Sequence, residues 1–235
     1  MEFLFNVARA EGEAEAAPSW FQTAFGDFAE TSVIGWALVA VLLIVSIILA
    51  RKFKGNRKSG WNTRSLALGS VCIALACVLS MIKLLEMPQG GSVTAASMLP
   101  IILFAYAYGA GPGLTLGVVY GVLQFILKPY FYSVPQMLLD YPVAFGVIGL
   151  AGLFSKSQND YLGLTLAAVA ASLARLIAAV ASGVVFFAEW TPEGSTPLAY
   201  SLGYNASYMV PECIICVVLC MAIGPRLIRE LRKVK

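Results

Sequence analysis

Three ionisable residues, Asp140, Arg175 and Glu212, fall in stretches of sequence too apolar to welcome charge. A charged group inside a hydrophobic run is costly, so it is a candidate for binding or for pairing. Arg175 and Glu212 lie near the middle of two consecutive runs that must be antiparallel, hence at similar depth. The expectation is a buried ion pair that fixes the packing of two helices. Asp140 stands apart. Near it come Tyr130, Phe131, Tyr132 and Tyr141, and around a later loop Phe187, Trp190, Tyr200, Tyr204 and Tyr208. Rings at the ends of apolar runs are expected of an interfacial belt, but a carboxylate among them is not. A carboxylate lined by aromatic faces suits a flat organic cation, through charge pairing and cation–π attraction. Asn205 adds an amide that can donate and accept.

Other chemistries lack their residues. The chain has no His, which removes His-dependent triads, His metal sites and imidazole proton relays. It has no G-x-x-x-x-G-K-[ST] nucleotide loop, no H-E-x-x-H and no G-x-S-x-G. No catalytic constellation is visible, so an enzyme is not expected, and no cofactor is expected in this chain. Any use of ATP would fall to separate subunits. The five cysteines (Cys72, Cys77, Cys213, Cys216 and Cys220) lie in apolar stretches and read as small packing residues.

These residues must be positioned by membrane spans. Hydrophobic residues make up 59% of the chain and charged ones 12%, with a mean hydropathy of +0.80. A soluble domain carries about 25% charged residues. The apolar runs are too long for strands and lack the alternation of a barrel wall, so helices must satisfy the backbone in lipid. Seven spans are expected, at residues 32–50, 65–85, 95–108, 114–127, 136–154, 162–187 and 199–223. Residues 1–31 read as an acidic extracellular tail with a short amphipathic piece near 20–28. Residues 51–64 form a basic linker, and residues 226–235 a basic tail. With the linker in the cytoplasm, twelve of the sixteen Lys and Arg residues fall on the cytoplasmic side, as the positive-inside rule requires. The C-terminus is then cytoplasmic and the N-terminus outside. On the second span Ala67, Ser70 and Ala74 make a face of small residues, which from spacing alone reads as ordinary packing within the chain.

Several ordered segments resemble one family: Pro88-Gln89-Gly90-Gly91-Ser92, Tyr108-Gly109-Ala110-Gly111-Pro112-Gly113, and above all Gln136-Met137-Leu138-Leu139-Asp140-Tyr141-Pro142. Gly183-Val184-Val185-Phe186-Phe187 and Tyr200-Ser201-Leu202-Gly203-Tyr204-Asn205 add to it. Over roughly residues 64–235 the chain resembles the thiamine-specific S components of energy-coupling factor transporters. The resemblance implies an all-α, six-helix membrane bundle at residues 65–225, here preceded by one extra transmembrane helix at 32–50. It implies a vitamin pocket near the outer face, in the cell membrane of a prokaryote. The implied partners are thiamine or a close analogue, a transmembrane coupling subunit and two cytoplasmic ATPase subunits. By position, Asp140 matches the acidic residue that faces the thiazolium. Tyr130, Tyr141, Tyr200 and Asn205 match pocket positions, Gly183 a close-approach glycine, and Arg175 a basic residue near the ligand. Phe187 stands where the family has a pocket Trp, Ala179 where it often has His, and Gly91 where some members have a loop Trp. Ser70 and Ala74 match the small-residue face that docks the coupling subunit. A related pyrimidine or thiazole as ligand, and an accessory membrane protein that binds nothing, remain the alternatives.

Overall fold

The computed structural model describes residues 33–52, 62–87 and 90–233. The acidic tail with its amphipathic piece, most of the basic linker, Pro88, Gln89 and the last two residues lie outside the described residues. In chain order the elements are α1 (Val33–Lys52), α2 (Thr63–Met81), a hairpin of β1 (Lys83–Glu86) and β2 (Ser92–Thr94), α3 (Leu99–Tyr108), α4 (Ala110–Leu127), α5 (Val134–Phe154), α6 (Asp160–Phe186), α7 (Pro197–Ala222) and α8 (Gly224–Lys233). Five helices, α2, α4, α5, α6 and α7, are long and apolar enough to cross a membrane, and α1 and α3 contain shorter apolar stretches. The protein is therefore a multi-pass helical membrane protein.

Local chemistry sets the helix ends. At α2 the Asn62 Oδ1 accepts from the Ser65 N–H at 2.7 Å, and the Ser65 Oγ accepts from the Asn62 N–H at 3.0 Å. This reciprocal cap satisfies two donors that the first turn leaves open. At α6 the Asn159 Oδ1 accepts from the Tyr161 N–H at 2.9 Å, and at α7 the Thr196 Oγ1 accepts from the Ala199 N–H at 3.2 Å.

Four expectations change. The second span ends at Met81, not at 85, because the chain turns there into an antiparallel hairpin with Lys83 opposite Thr94 and Glu86 opposite Ser92. The third run begins its helix only at Leu99, with Pro100 in its first turn. At ten residues it is about 15 Å long, half a bilayer core. It does not need lipid on its flanks, because every residue in it is buried. The Gly/Pro segment after it is not a loop. Gly109, at φ +100°, breaks the chain, and α4 starts directly at Ala110. Pro112 fits there because the first-turn N–H groups have no helical partner to lose. Finally, the basic tail is a helix, α8, with Ile228 fully buried against the bundle.

The core lies around α3. Ile101, Ile102, Phe104 and Tyr106 pack with Leu164, Ala167, Ala168 and Ala171 of α6 and with Cys216 and Cys220 of α7. The small residues of α6 and α7 let α3 sit between them. α4 and α5 meet backbone to backbone. A Cβ on Gly121 would meet the Tyr141 carbonyl and stand 3.1 Å from the Pro142 Cα. Larger residues there would push α5 away.

Candidate binding site

α5 is not a uniform helix. Over Leu139–Val143 it widens into a π turn, and Pro142 lies within that turn. Proline has no N–H to donate and its ring crowds the carbonyl four residues back, so the turn must open there. Such widened turns often mark functional positions. Here the turn carries Asp140 and Tyr141 to a cavity of about 290 Å³.

The structure brings all eight residues expected to contact ligand to this one cavity: Asp140, Tyr130, Tyr141, Arg175, Gly183, Phe187, Tyr200 and Asn205. They come from α5, α6, α7 and the α4–α5 and α6–α7 connections, while Gly91 and Ser92 of the hairpin close another side. The volume is near the lower end for small-molecule pockets, roughly 300–1,000 Å³.

The carboxylate is held by its own helix. Gln136, fully buried one turn earlier, donates from Nε2 to the Asp140 Oδ2 at 2.5 Å. The Gln136 Oε1 accepts from the Tyr132 N–H at 3.0 Å, which ties the preceding loop to the same point. Among the described residues no base stands within ion-pair distance of Asp140. Lys128, the base nearest in sequence, turns to Glu86 at 3.2 Å. Glu86 also takes Lys83, and these two bases hold its carboxyl below the usual range, Lys83 first. A ligand cation would therefore meet an unneutralised carboxylate.

The rings are fixed in turn. The Tyr141 hydroxyl donates to the Lys128 carbonyl at 2.9 Å and accepts from the Tyr130 N–H at 3.0 Å, which places the Tyr130 ring. Burial pushes the Tyr130 phenol up, and the Asp140 charge adds to that shift. Phe187 sits among Tyr130, Tyr132 and Trp190, with centroids 5.9, 5.8 and 5.5 Å away. Tyr130, Tyr132 and Trp190 are exposed, so this cluster is the rim. The Tyr204 hydroxyl accepts from the Gly91 N–H at 3.0 Å, which fastens the hairpin turn to α7. Gly91 has no room for a side chain, because a Cβ would stand 2.5 Å from the Tyr208 ring.

Asn205 is more committed than its sequence suggests. Its Oδ1 accepts from the Tyr208 hydroxyl at 2.6 Å, and its Nδ2 donates to the Ser201 carbonyl at 2.9 Å. The Ser201 Oγ donates to the Val180 carbonyl at 3.1 Å. Gly183 makes this crossing possible, since a Cβ there would collide with the Ser201 Oγ. The glycine is thus a point of close approach between α6 and α7 as well as part of the cavity wall.

Arg175 reaches the cavity with its guanidinium 4.3 Å from the centre of the Phe145 ring. Its Nη1 stands 3.9 Å from the Glu212 Oε2. Glu212 is 1% exposed, and its Oε1 accepts from the hydroxyls of Thr94 at 2.6 Å and Ser97 at 3.0 Å. The pair therefore joins α6, α7 and the end of the hairpin beneath the cavity. Ser70 and Ala74 are elsewhere, exposed on the side of α2 away from Gly69, which faces Leu116 and Phe104.

Sequence reasoning missed Gln136, Thr94 and Ser97. Gln136 had a signal, since a residue four before a helical carboxylate shares its face. Thr94 and Ser97 had none, because their partner is more than a hundred residues away.

Fold and site together define a multi-pass membrane protein that encloses a small-molecule cavity between its helices. The chain belongs to the thiamine transporter protein family, Thia_YuaJ, whose model matches residues 66–231. It is therefore a member of a family of transporters, not of enzymes. It is 40% identical over 177 residues to the thiamine transporter ThiT of Bacillus subtilis (strain 168), covering 68% of this chain and 92% of the relative. It is 28% identical over 151 residues to ThiT of Lacticaseibacillus paracasei, covering 55% of this chain and 73% of that one. The solved structure of ThiT from Listeria monocytogenes superposes with a TM-score of 0.61, over 70% of this chain and 96% of that one. At 22% identity that likeness speaks for the fold alone.

Proposed function

We propose that this chain is the substrate-binding subunit of an energy-coupling factor importer, taking thiamine from outside and releasing it inward. The observation that carries this reading is the cavity itself, where an unneutralised Asp140 lies among Tyr130, Tyr141, Phe187 and Tyr200. Thiamine is an organic cation of two flat rings joined by a methylene, and its thiazolium would face Asp140. The aromatic walls would hold the rings, with Arg175 and Asn205 completing the wall.

No nucleotide-binding loop is present in the sequence, so ATP would be used by two cytoplasmic ATPase subunits, reached through a transmembrane coupling subunit. The exposed small face of Ser70 and Ala74 supports α2 as the helix that meets the coupling subunit. The working organisation is a six-helix binding domain at residues 65–225, counting α3 with its hairpin as one, preceded by α1. Orientation follows from charge. The cavity end would face outward with the N-terminus, and α8 with the basic linker would face the cytoplasm.

Uptake of labelled thiamine in cells deprived of their own thiamine importer tests this reading. Uptake that needs this chain together with coupling and ATPase subunits is expected. A chain that leaves uptake at background with those partners present would be an accessory membrane protein instead.

A further inference from the structure

α1 lies outside the segment that the family matches, residues 66–231, yet it is built into the same end of the protein as the cavity. A Cβ on Gly35 would stand 2.7 Å from the Phe186 Cζ and 3.6 Å from the Pro135 Cβ, so the outer end of α1 presses on the end of α6 and the start of α5. One helical turn on, Val39 is 5% exposed and shares a cluster with Leu139, Val143, Val147 and Phe186. Leu38 and Leu42 pack against that cluster. The rest of α1 presents Val41, Ile44, Val45 and Ile48 outward.

The residues under α1 flank the site. Leu139 and Val143 are the two ends of the π turn that carries Asp140 and Tyr141. Phe186 lies between Gly183 and Phe187 at the end of α6, both on the cavity wall. A widened helical turn containing proline has given up regular backbone bonds, so packing must hold its shape. On one side that packing is the close approach of Gly121. On the other it is α1.

We propose that α1 is a positioning element for the cavity: seated through Gly35 and Val39 on Leu139, Val143 and Phe186, it holds the turn of Asp140 and the end of α6 in ligand-binding geometry. None of its contact residues touches the cavity, so it acts through the residues it backs. The proposal rests on the reading of the cavity as a thiamine site. Its effect falls on how long a bound ligand stays, since loosening the wall speeds escape more than entry.

The test uses the full chain, purified from thiamine-free medium, with thiamine as the probe. Gly35→Leu inserts a side chain against Phe186 and should raise the thiamine Kd about tenfold, mostly through faster dissociation. Adding Phe186→Leu makes room and should restore the affinity, which general destabilisation would not allow. Val41→Ala, on the outward face, should change neither Kd nor dissociation. Separately, Gly35→Cys with Pro135→Cys places Cβ atoms at disulfide distance. Oxidation should give the 35–135 bridge by peptide mapping and slow thiamine release relative to the reduced form. The proposal is overturned if Gly35→Leu leaves Kd and dissociation within about twofold of the parent, if Phe186→Leu fails to rescue, or if the bridge does not form. Should the parent chain bind no thiamine, the functional reading fails and the positioning role falls with it. The bridge yield would still report whether α1 packs on α5.

Discussion

Asp140→Asn keeps the size of the side chain and removes its charge. The amide oxygen of Asn can still accept from Gln136, whose Nε2 now donates to Asp140 at 2.5 Å, so the π turn should persist. What is lost is attraction to the thiazolium. At about 4 Å and an effective dielectric of about 20, a pair of unit charges is worth about 4 kcal/mol. Among the described residues no base neutralises Asp140, so little of that attraction is already spent. Screening through the exposed rim lowers the figure, and the expected loss is about 2–4 kcal/mol, roughly thirtyfold to a thousandfold in Kd. Calorimetric titration of the purified variant reads this directly, and its melting temperature should stay near that of the parent. An unchanged thiamine Kd would refute the role of Asp140 and with it the electrostatic reasoning for the cavity.

Arg175→Met and Glu212→Gln each strand one partner of a pair buried beneath the cavity, so each should lower thermal stability in detergent, by about 3–5 kcal/mol where the charge is fully stranded. The double variant should recover part of that loss, and simple additivity would reject the pair. Enlarging Ser70 and Ala74 together to Leu should abolish uptake in cells while leaving thiamine binding to the isolated chain intact. Persistent uptake, or loss of binding along with it, would remove α2 from the docking role.

How much the sequence revealed depended on the range of the interaction. The long apolar runs of α6 and α7 were legible because lipid demands them whatever surrounds them. The order of Asp140, Tyr141 and Pro142 was legible as a motif, and the rings of Tyr130 and Phe187 came with it. The boundary errors arose where tertiary burial replaced lipid. The run from residue 95 read as a span, but residues 95–98 form the turn between β2 and α3, and α3 is short because protein encloses it. Gly183 was expected as a close-approach glycine, but what it approaches was hidden, because Ser201 belongs to another helix. Asn205 read as a ligand contact because its amide is versatile, whereas most of its hydrogen bonds go to Ser201 and Tyr208. The Arg175–Glu212 juxtaposition could be anticipated from depth alone, but its link to Thr94 and Ser97 depends on the end of the hairpin and the turn after it, which no pattern in the sequence marks.

As proposed, the cavity would recognise thiamine as a whole, through its charged thiazolium ring and its pyrimidine together. Calorimetric titration of the full chain, purified from thiamine-free medium, against thiamine and against its separate thiazole and pyrimidine halves tests this most directly. Saturable binding of one thiamine per chain is expected, with each half binding at least about a hundredfold more weakly, since each forfeits one part of the wall. A half that binds as tightly as thiamine would make this the carrier of a precursor, and a chain that takes up none of the three would not be a thiamine-binding subunit.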